Sequence, residues 1–472
     1  MIAAITLLVP IIAGWLFVYA LCFRDSPQSR LVRLVLSGSL GALAGLGCSS
    51  VILFLLIWSG LASRATITVI DVIALLAGLV VFWKGRAQTV KANVAAAPEF
   101  RWIWALRVAG LIALAIVIAG WAETTAANPD GEWDAFAIWN LRAQFLAGGP
   151  STWRFAVAAE SGGQMFGANH PGYPLLTSGL IARGWILLGG AESSAPAVTG
   201  LIFVLLVALL LTGSLTWLHS ESSGWLAVLV LAASETFASQ TASQYADLPL
   251  ACYILATMAL LAAANLQEWK PSLLFLAGLM AALAAWTKNE GIVLLGITAV
   301  MVLWRGGSRR LLVFAAGALP IVAVLAAFKI LLVPGVESMF PSTFGEAWTK
   351  VIDVSRWMTV AGSFIQNFWR LGFPWAHPLL MLALIAWAFG LKDGDGRRLH
   401  QWLVLIPVLM LAADFMIFVL TTADLKWHLD TSNNRLILQI WPAMLFCSFY
   451  LLRRHQATPQ TTAVHPKKQR KK

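Results

Sequence analysis

Runs of about twenty predominantly apolar residues recur along the whole chain, and no other feature restricts its fold so strongly. A helix of that length crosses a hydrocarbon core of about 30 Å, as Ile2 to Phe23 and Leu311 to Val333 are long enough to do. Lipid offers backbone groups no hydrogen-bond partners, so a crossing segment must satisfy them internally, and many such segments form a helical bundle. Only 12% of the residues are charged, where a soluble protein of this length carries about 25%. The expected fold is an all-α, polytopic transmembrane helical bundle of about 13 helices. They fall near 2–23, 34–58, 66–83, 102–122, 195–217, 223–240, 247–266, 272–287, 291–304, 311–334, 376–391, 401–421 and 435–452. Gly41 and Gly45 stand at the spacing that lets two such helices approach closely.

Basic residues orient the helices. Arg24, Arg30 and Arg33 follow the first run, and Lys84, Arg86, Lys91 and Arg101 follow the third. Both loops are therefore expected in the cytoplasm, with loop 123–172 outside. Tyr173 to Gly190 is apolar enough for another crossing, but that would send Arg305, Arg309, Arg310, Lys392, Arg397, Arg398 and the basic tail outside. Its modest length and internal Arg183 instead suit an amphipathic helix in the outer interface. Segment 335–375 mixes Glu346, Lys350 and Arg356 with Trp348, Trp357 and Trp369, and is placed on the outer surface. The chain thus divides into N-terminal helices (1–101), a module (102–300) with outer loops 123–194 and 241–247, C-terminal helices (301–454), and a basic cytoplasmic tail (455–472). The first run, which lacks a basic leader and a cleavage site, is read as a retained helix. The net charge of +11 is scattered in short loop clusters, which argues against nucleic acid as a partner. The four cysteines lie in or beside apolar runs without ligand spacing, so neither a disulfide framework nor a zinc site is expected.

On this topology four polar clusters face one compartment. Asp130, Glu132 and Asp134 crowd beside Trp133, ahead of a helix bearing Asn140, Arg142 and Gln144. Asp134 or Glu132 suits a general base toward an acceptor hydroxyl or amine, or a cation ligand; Asp134 equally suits a helix N-cap. His170 precedes Pro171 and Pro174, and is a ligand, an acid–base group or a surface residue. Tyr245 and Asp247 lie in Ser243-Gln244-Tyr245-Ala246-Asp247-Leu248-Pro249, where Asp247 is a second outer carboxylate or an N-cap. Lys288 and Glu290 form a short outer loop, and Lys426, His428 and Arg435 precede the last helix. Basic residues on the outer side run against the bias of the chain, which makes Lys288, His428 and Arg435 candidates for an anionic ligand, with snorkelling as the plainer role. Asp414 and Glu235 fall inside apolar runs, where carboxylates also suit a transporter or lipid flippase.

The run Asp134-Ala135-Phe136-Ala137-Ile138-Trp139-Asn140-Leu141-Arg142 resembles the first outer-loop motif of the GT-C membrane glycosyltransferases, among them the lipid A aminoarabinose transferase and the protein O-mannosyltransferases. His170-Pro171-Gly172-Tyr173-Pro174 stands where that class carries a Pro-rich segment before an interfacial helix, and Asp247-Leu248-Pro249 is similar to its second-loop acid. Ala135 replaces the usual second acid and His170 the usual lysine. The resemblance covers roughly residues 102–300 and implies a polyprenyl-phosphate-sugar donor, with a lipid, glycan or protein as acceptor. It further implies Asp134 as general base, with Lys288, Arg435 and His428 at the phosphate and Asp247 orienting the acceptor or a metal. The isoprenoid chain would lie along 335–375. Some members of the class use a divalent cation, and no convincing ligand set for one is seen in this sequence. The expected location is a bacterial inner membrane, with the site extracytoplasmic.

Overall fold

Apolar length becomes helix at every run of the sequence. A computed structural model describes residues 2–26, 28–84, 102–157, 170–333, 340–373, 376–394 and 401–453. The expectations for loop 85–101, for 158–169 of the first outer loop, for 335–339 and 374–375 of the aromatic segment, for Arg397 and Arg398, and for the tail beyond 453 lie outside these residues. In chain order the helices are α1 (Ile2–Val18, continued by a π-turn Tyr19–Phe23), α2 (Arg30–Trp58), α3 (Arg64–Lys84), α4 (Ile103–Ala127), α5 (Asn140–Ala147) and α6 (Leu176–Leu188). Next come α7 (Ser194–Leu218), α8 (Glu221–Ala232), α9 (Glu235–Gln240), α10 (Asp247–Leu266), α11 (Pro271–Thr287) and α12 (Glu290–Gly306). The last are α13 (Ser308–Ala327, continued by a π-turn Phe328–Leu332), α14 (Phe344–Ile352), α15 (Val354–Trp369), α16 (Pro378–Phe389), α17 (Trp402–Leu420) and α18 (Leu425–Tyr450). No strand occurs among the described residues, apart from an isolated bridge between Leu391 and Leu452.

Among the described residues eight helices are long and apolar enough to cross a membrane: α1, α2, α3, α4, α7, α10, α13 and α17. The other five runs counted in the sequence form shorter apolar helices (α8, α11, α12, α16) or, in α18, a helix with polar first turns. Run 223–240 breaks after α8, and Glu235 opens α9 as an exposed residue rather than a carboxylate within a span.

Helix association in lipid depends on close backbone approach, because lipid tails are as apolar as the side chains. The Gly41–Gly45 pair provides it. A Cβ on Gly45 would stand 1.9 Å from the Pro10 carbonyl oxygen, and one on Gly41 2.4 Å from Trp15 Cα, so α1 and α2 meet backbone to backbone. Gly278 and Gly317 do the same for α11 and α13, at 1.9 and 2.0 Å from the carbonyl oxygens of Phe314 and Phe275.

The bundle has two chemically different ends. At one, Arg24 donates to carbonyls at the end of α3, Lys270 donates to the Cys22 carbonyl, and Arg310 lies over the Trp269 ring. The other end collects Asp134, Asp247 and Glu290, because α10 and α11 each run the length of the bundle between the two. Helix α6 belongs wholly to this second end: its first turn meets Ser50 of α2, and Gly189 beyond its last turn meets Arg64, the first residue of α3. It does not cross. Nor does it show an amphipathic face to an interface, since Leu176 to Trp185 are all buried. Arg183 points inward, paired with Asp71 and donating to the Thr6 carbonyl. Burial on every side outweighs the exposure its lone charge suggests, because α3 supplies a counter-charge.

Segment 340–373 does form amphipathic helices. Thr343 caps α14, Asp353 caps α15 by accepting the Ser355 N–H at 2.9 Å, and Phe344, Trp348, Met358, Ile365 and Trp369 are exposed. Arg356 fastens them to the bundle by donating to the carbonyls of Phe418, Val419 and Thr421 at the end of α17. Cations favour such a helix terminus, where carbonyls lack partners.

Candidate functional site

The loop 128–134 is shaped by its contacts with the loop 243–245. Gly131 has φ +78, and a Cβ there would lie 2.8 Å from the Ser243 carbonyl oxygen, so only glycine permits the approach. The Glu132 N–H donates to that carbonyl at 3.2 Å, Gln244 Nε2 donates to the Pro129 carbonyl at 2.9 Å, and Asn140 Nδ2 donates to Gln244 Oε1 at 3.0 Å. Gln244 and His170 both hold positive φ, at 61° and 53°. Such strain costs on the order of 1–3 kcal/mol per residue and gathers at functional sites.

These contacts bring the four polar clusters together. Arg435 Nη1 lies 2.5 Å from Asp134 Oδ2, and its guanidinium covers the Tyr245 ring at 4.8 Å. The Asp134 N–H donates to the Tyr245 hydroxyl at 3.2 Å. Deeper, Lys288 Nζ stands 3.0 Å from both Asp247 Oδ1 and Glu290 Oε1, and Gln439 Nε2 donates to Asp247 Oδ1 at 2.5 Å. Lys288 also faces the Tyr173 ring, which stacks between His170 (5.0 Å) and Trp139 (5.6 Å). His428 Nδ1 pairs with Thr421 Oγ1 at 3.0 Å.

Asp134 and Asp247 both begin helical turns, yet neither side chain caps one. Their carboxylates are spent on Arg435, Lys288 and Gln439 instead. Glu132 is exposed, and among the described residues its carboxylate enters no ion pair. Asp134 is therefore the acid of that loop that joins the centre. Arg142 is fully buried under the 170–173 turn. The Asn140 Oδ1, Arg142 Nη1, Arg435 Nε, Gln439 Oε1 and Asp414 Oδ2 atoms are buried without partners among the described residues. Buried polar atoms are seldom left unpaired, so a polar ligand entering here has donors and acceptors to meet.

The Lys288 ammonium occupies the place a cation bridging Asp247 and Glu290 would take. Among the described residues no three His, Cys, Asp or Glu side chains are grouped to hold a metal ion. A cavity of about 720 Å³ opens beside the acidic loop, lined by Asp130, Glu132, Trp133, Asn140 and Glu192 among others. A second, apolar cavity of about 560 Å³ lies between α1, α2, α3 and α11 with Asp71 and Arg183 in its wall. Neither lining includes Asp134, Asp247, Lys288, Glu290 or Arg435; the first cavity adjoins their loop through Gly131, Glu132 and Asn140.

Burial lowers the pKa of His170, with Lys288, Arg142 and Arg435 adding to the shift and Asp134 opposing it. Burial likewise lowers that of His428, with His170 and Arg435 adding. Both rings are neutral at pH 7. Burial pushes the Tyr173 hydroxyl up to about 12, so it too is uncharged. A histidine depressed in the folded state stays neutral while the unfolded chain takes up protons below about pH 6.5. Stability is then lost as pH falls through that value toward the folded pKa. Melting curves from pH 8 to 5 should show this loss, and the His170→Gln/His428→Gln variant should show less of it; equal slopes would place the acid sensitivity elsewhere.

Sequence reasoning missed Gln439, Lys329 and Asn289. Lys329 donates to Asn289 Oδ1 at 2.7 Å and to the Gly172 carbonyl, although it lies in an apolar run. A signal existed for Gln439: His428, Arg435 and Gln439 recur at helical spacing, which puts them on one face once α18 is extended back to Leu425. The chain matches no family model, no curated protein and no solved structure.

Proposed function

We propose that this chain is a membrane glycosyltransferase of the GT-C type. It takes a sugar from a polyprenyl-phosphate donor and gives it to a lipid, glycan or protein acceptor on the extracytoplasmic face of a bacterial inner membrane. The observation that carries the reading is the Asp134–Arg435 pair, joining residues far apart in sequence at the acidic end of the bundle. A carboxylate held by an arginine is a poor base until the arginine finds another anion. The donor phosphate is such an anion, and a guanidinium fork fits it with two parallel bonds. Donor binding then frees Asp134 to accept the proton of the acceptor hydroxyl or amine. The acceptor atom bonds to the anomeric carbon, the bond from that carbon to the phosphate oxygen breaks with inversion, and polyprenyl phosphate leaves with the electron pair. Arg435 stabilises the charge developing on it.

In this scheme Lys288, already matched by Asp247 and Glu290, sets the position of Asp247, which orients the acceptor. His428 and His170, both neutral, contribute hydrogen bonds rather than charge. The amphipathic pair α14 and α15 offers exposed aromatics to the isoprenoid chain. Of its two carboxylates the transporter reading keeps Asp414, buried with an oxygen that has no partner among the described residues, because Glu235 is exposed.

Mass spectra of cell-envelope glycolipids and glycans, with and without the gene, test the proposal. Loss of one sugar from one class of molecule is expected, with its polyprenyl-phosphate precursor accumulating. Unchanged glycolipids and glycans together with a lost solute gradient would favour the transporter.

A further inference from the structure

Four cations surround the 170–173 turn, and they divide in two. Arg435 and Lys288 have carboxylate partners. Among the described residues Arg142 and Lys329 have none: they hold the turn from two sides through backbone carbonyls and one amide. Arg142 Nε donates to the Ala156 carbonyl at 2.8 Å and Nη2 to the Pro171 carbonyl at 3.1 Å, while Nη1 is buried with no partner among the described residues. Lys329 donates to the next carbonyl, Gly172, and to Asn289 Oδ1.

A buried cation without a counter-charge is costly to keep, since the desolvation penalty amounts to several kcal/mol per ion. Burial brings Arg142 down to about 9, which still leaves it charged at neutral pH. The turn between the two cations carries its own strain at His170. Arg142 alone has a plain scaffolding role, clasping segment 156–171. Lys329 is harder to explain that way, because a lysine in a run of apolar residues gains little from one carbonyl and one amide that a neutral donor would not also give. A second uncompensated charge beside the first raises the cost of both, unless an anion meets them.

We propose that Lys329 and Arg142 form the seat for the phosphate of the lipid-linked donor, in addition to Arg435. The assignment rests on the donor reading above and names a residue pair for it. With the phosphate seated there, Arg435 turns from Asp134 to join it, which frees Asp134, and Lys288 stays with its two carboxylates. The lysine at the end of α13 brings the seat close to the hydrocarbon region, where a lipid-linked phosphate arrives and a free one does not.

The test uses the full chain in detergent micelles, with farnesyl phosphate, farnesol and inorganic phosphate as probes in calorimetric titrations. Wild type should bind farnesyl phosphate more tightly than farnesol. Lys329→Met should weaken farnesyl phosphate by roughly tenfold or more, the size of one charge-assisted bond, with farnesol unchanged. Lys329→Arg should retain binding, and Arg142→Lys, which keeps the charge, should fall between. Lys329→Met binding farnesyl phosphate like wild type overturns the seat. If Arg435→Ala alone weakens it, the seat is wrong and the donor reading survives. No preference for farnesyl phosphate over farnesol in wild type sinks both. Inorganic phosphate binding as tightly as farnesyl phosphate would overturn the lipid-linked assignment.

Discussion

Lys288→Met is expected to destabilise the folded chain by about 3–5 kcal/mol, the usual consequence of removing one partner from a buried ion pair. The Lys288 side chain is 4% exposed and that of Asp247 2%, so water cannot replace the lost ammonium. Glu290 loses the same partner. Gln439 still donates to Asp247, but a neutral amide does not balance two carboxylates. The melting midpoint of the purified protein in detergent should drop by many degrees, or the variant should fail to accumulate. Replacing all three groups together, as Lys288→Met/Asp247→Asn/Glu290→Gln, should recover most of the loss, because neutral groups of similar volume often equal a buried ionic set. A single variant that melts like wild type would mean that the two acids are not charged beside Lys288.

Most of this architecture follows from hydropathy. Each apolar run became helix because lipid leaves the backbone no alternative, and the Gly41–Gly45 spacing did mark the α1–α2 contact. Tyr173 to Gly190, kept from crossing by the charge argument, holds the 13-residue α6, whose two ends meet the same end of the bundle. What hydropathy concealed is pairing. Arg183 resembled a residue at a wet surface, but Asp71, more than a hundred residues away, lets it sit inside. The start of α18 was placed ten residues late, because Lys426 to Asn434 are polar and polar windows resemble loops; the Asp424 side chain caps this helix by accepting the Trp427 N–H. The candidate residues of the site were legible as residue types that an apolar chain does not spend freely. Their partners were not, since nothing in a single sequence states that Arg435 reaches Asp134 or that Gln439 reaches Asp247.

Asp134→Asn is expected to lower sugar transfer by at least ~100-fold, the lower range for loss of a general base. The substitution keeps the shape of the side chain and an oxygen for Arg435, so the docking of loops 128–134 and 243–245 should persist. Folding should change little, because the Asp134 and Arg435 side chains are 20% and 16% exposed and their attraction is partly screened. The carboxylate caps no helix, so no cap is lost. Glu132→Gln is the matched control: it removes an acid two residues away that is exposed and outside the ion-pair network. If Glu132 were the base, the two phenotypes would exchange.

The most direct measurement is transfer of labelled sugar from a polyprenyl-phosphate donor to membrane acceptors by the purified full-length protein, with Asp134→Asn and Glu132→Gln in parallel. The account predicts transfer by wild type, near-normal transfer by Glu132→Gln, and a loss of at least ~100-fold for Asp134→Asn at an unchanged melting midpoint. Near-wild-type transfer by a well-folded Asp134→Asn protein would contradict it.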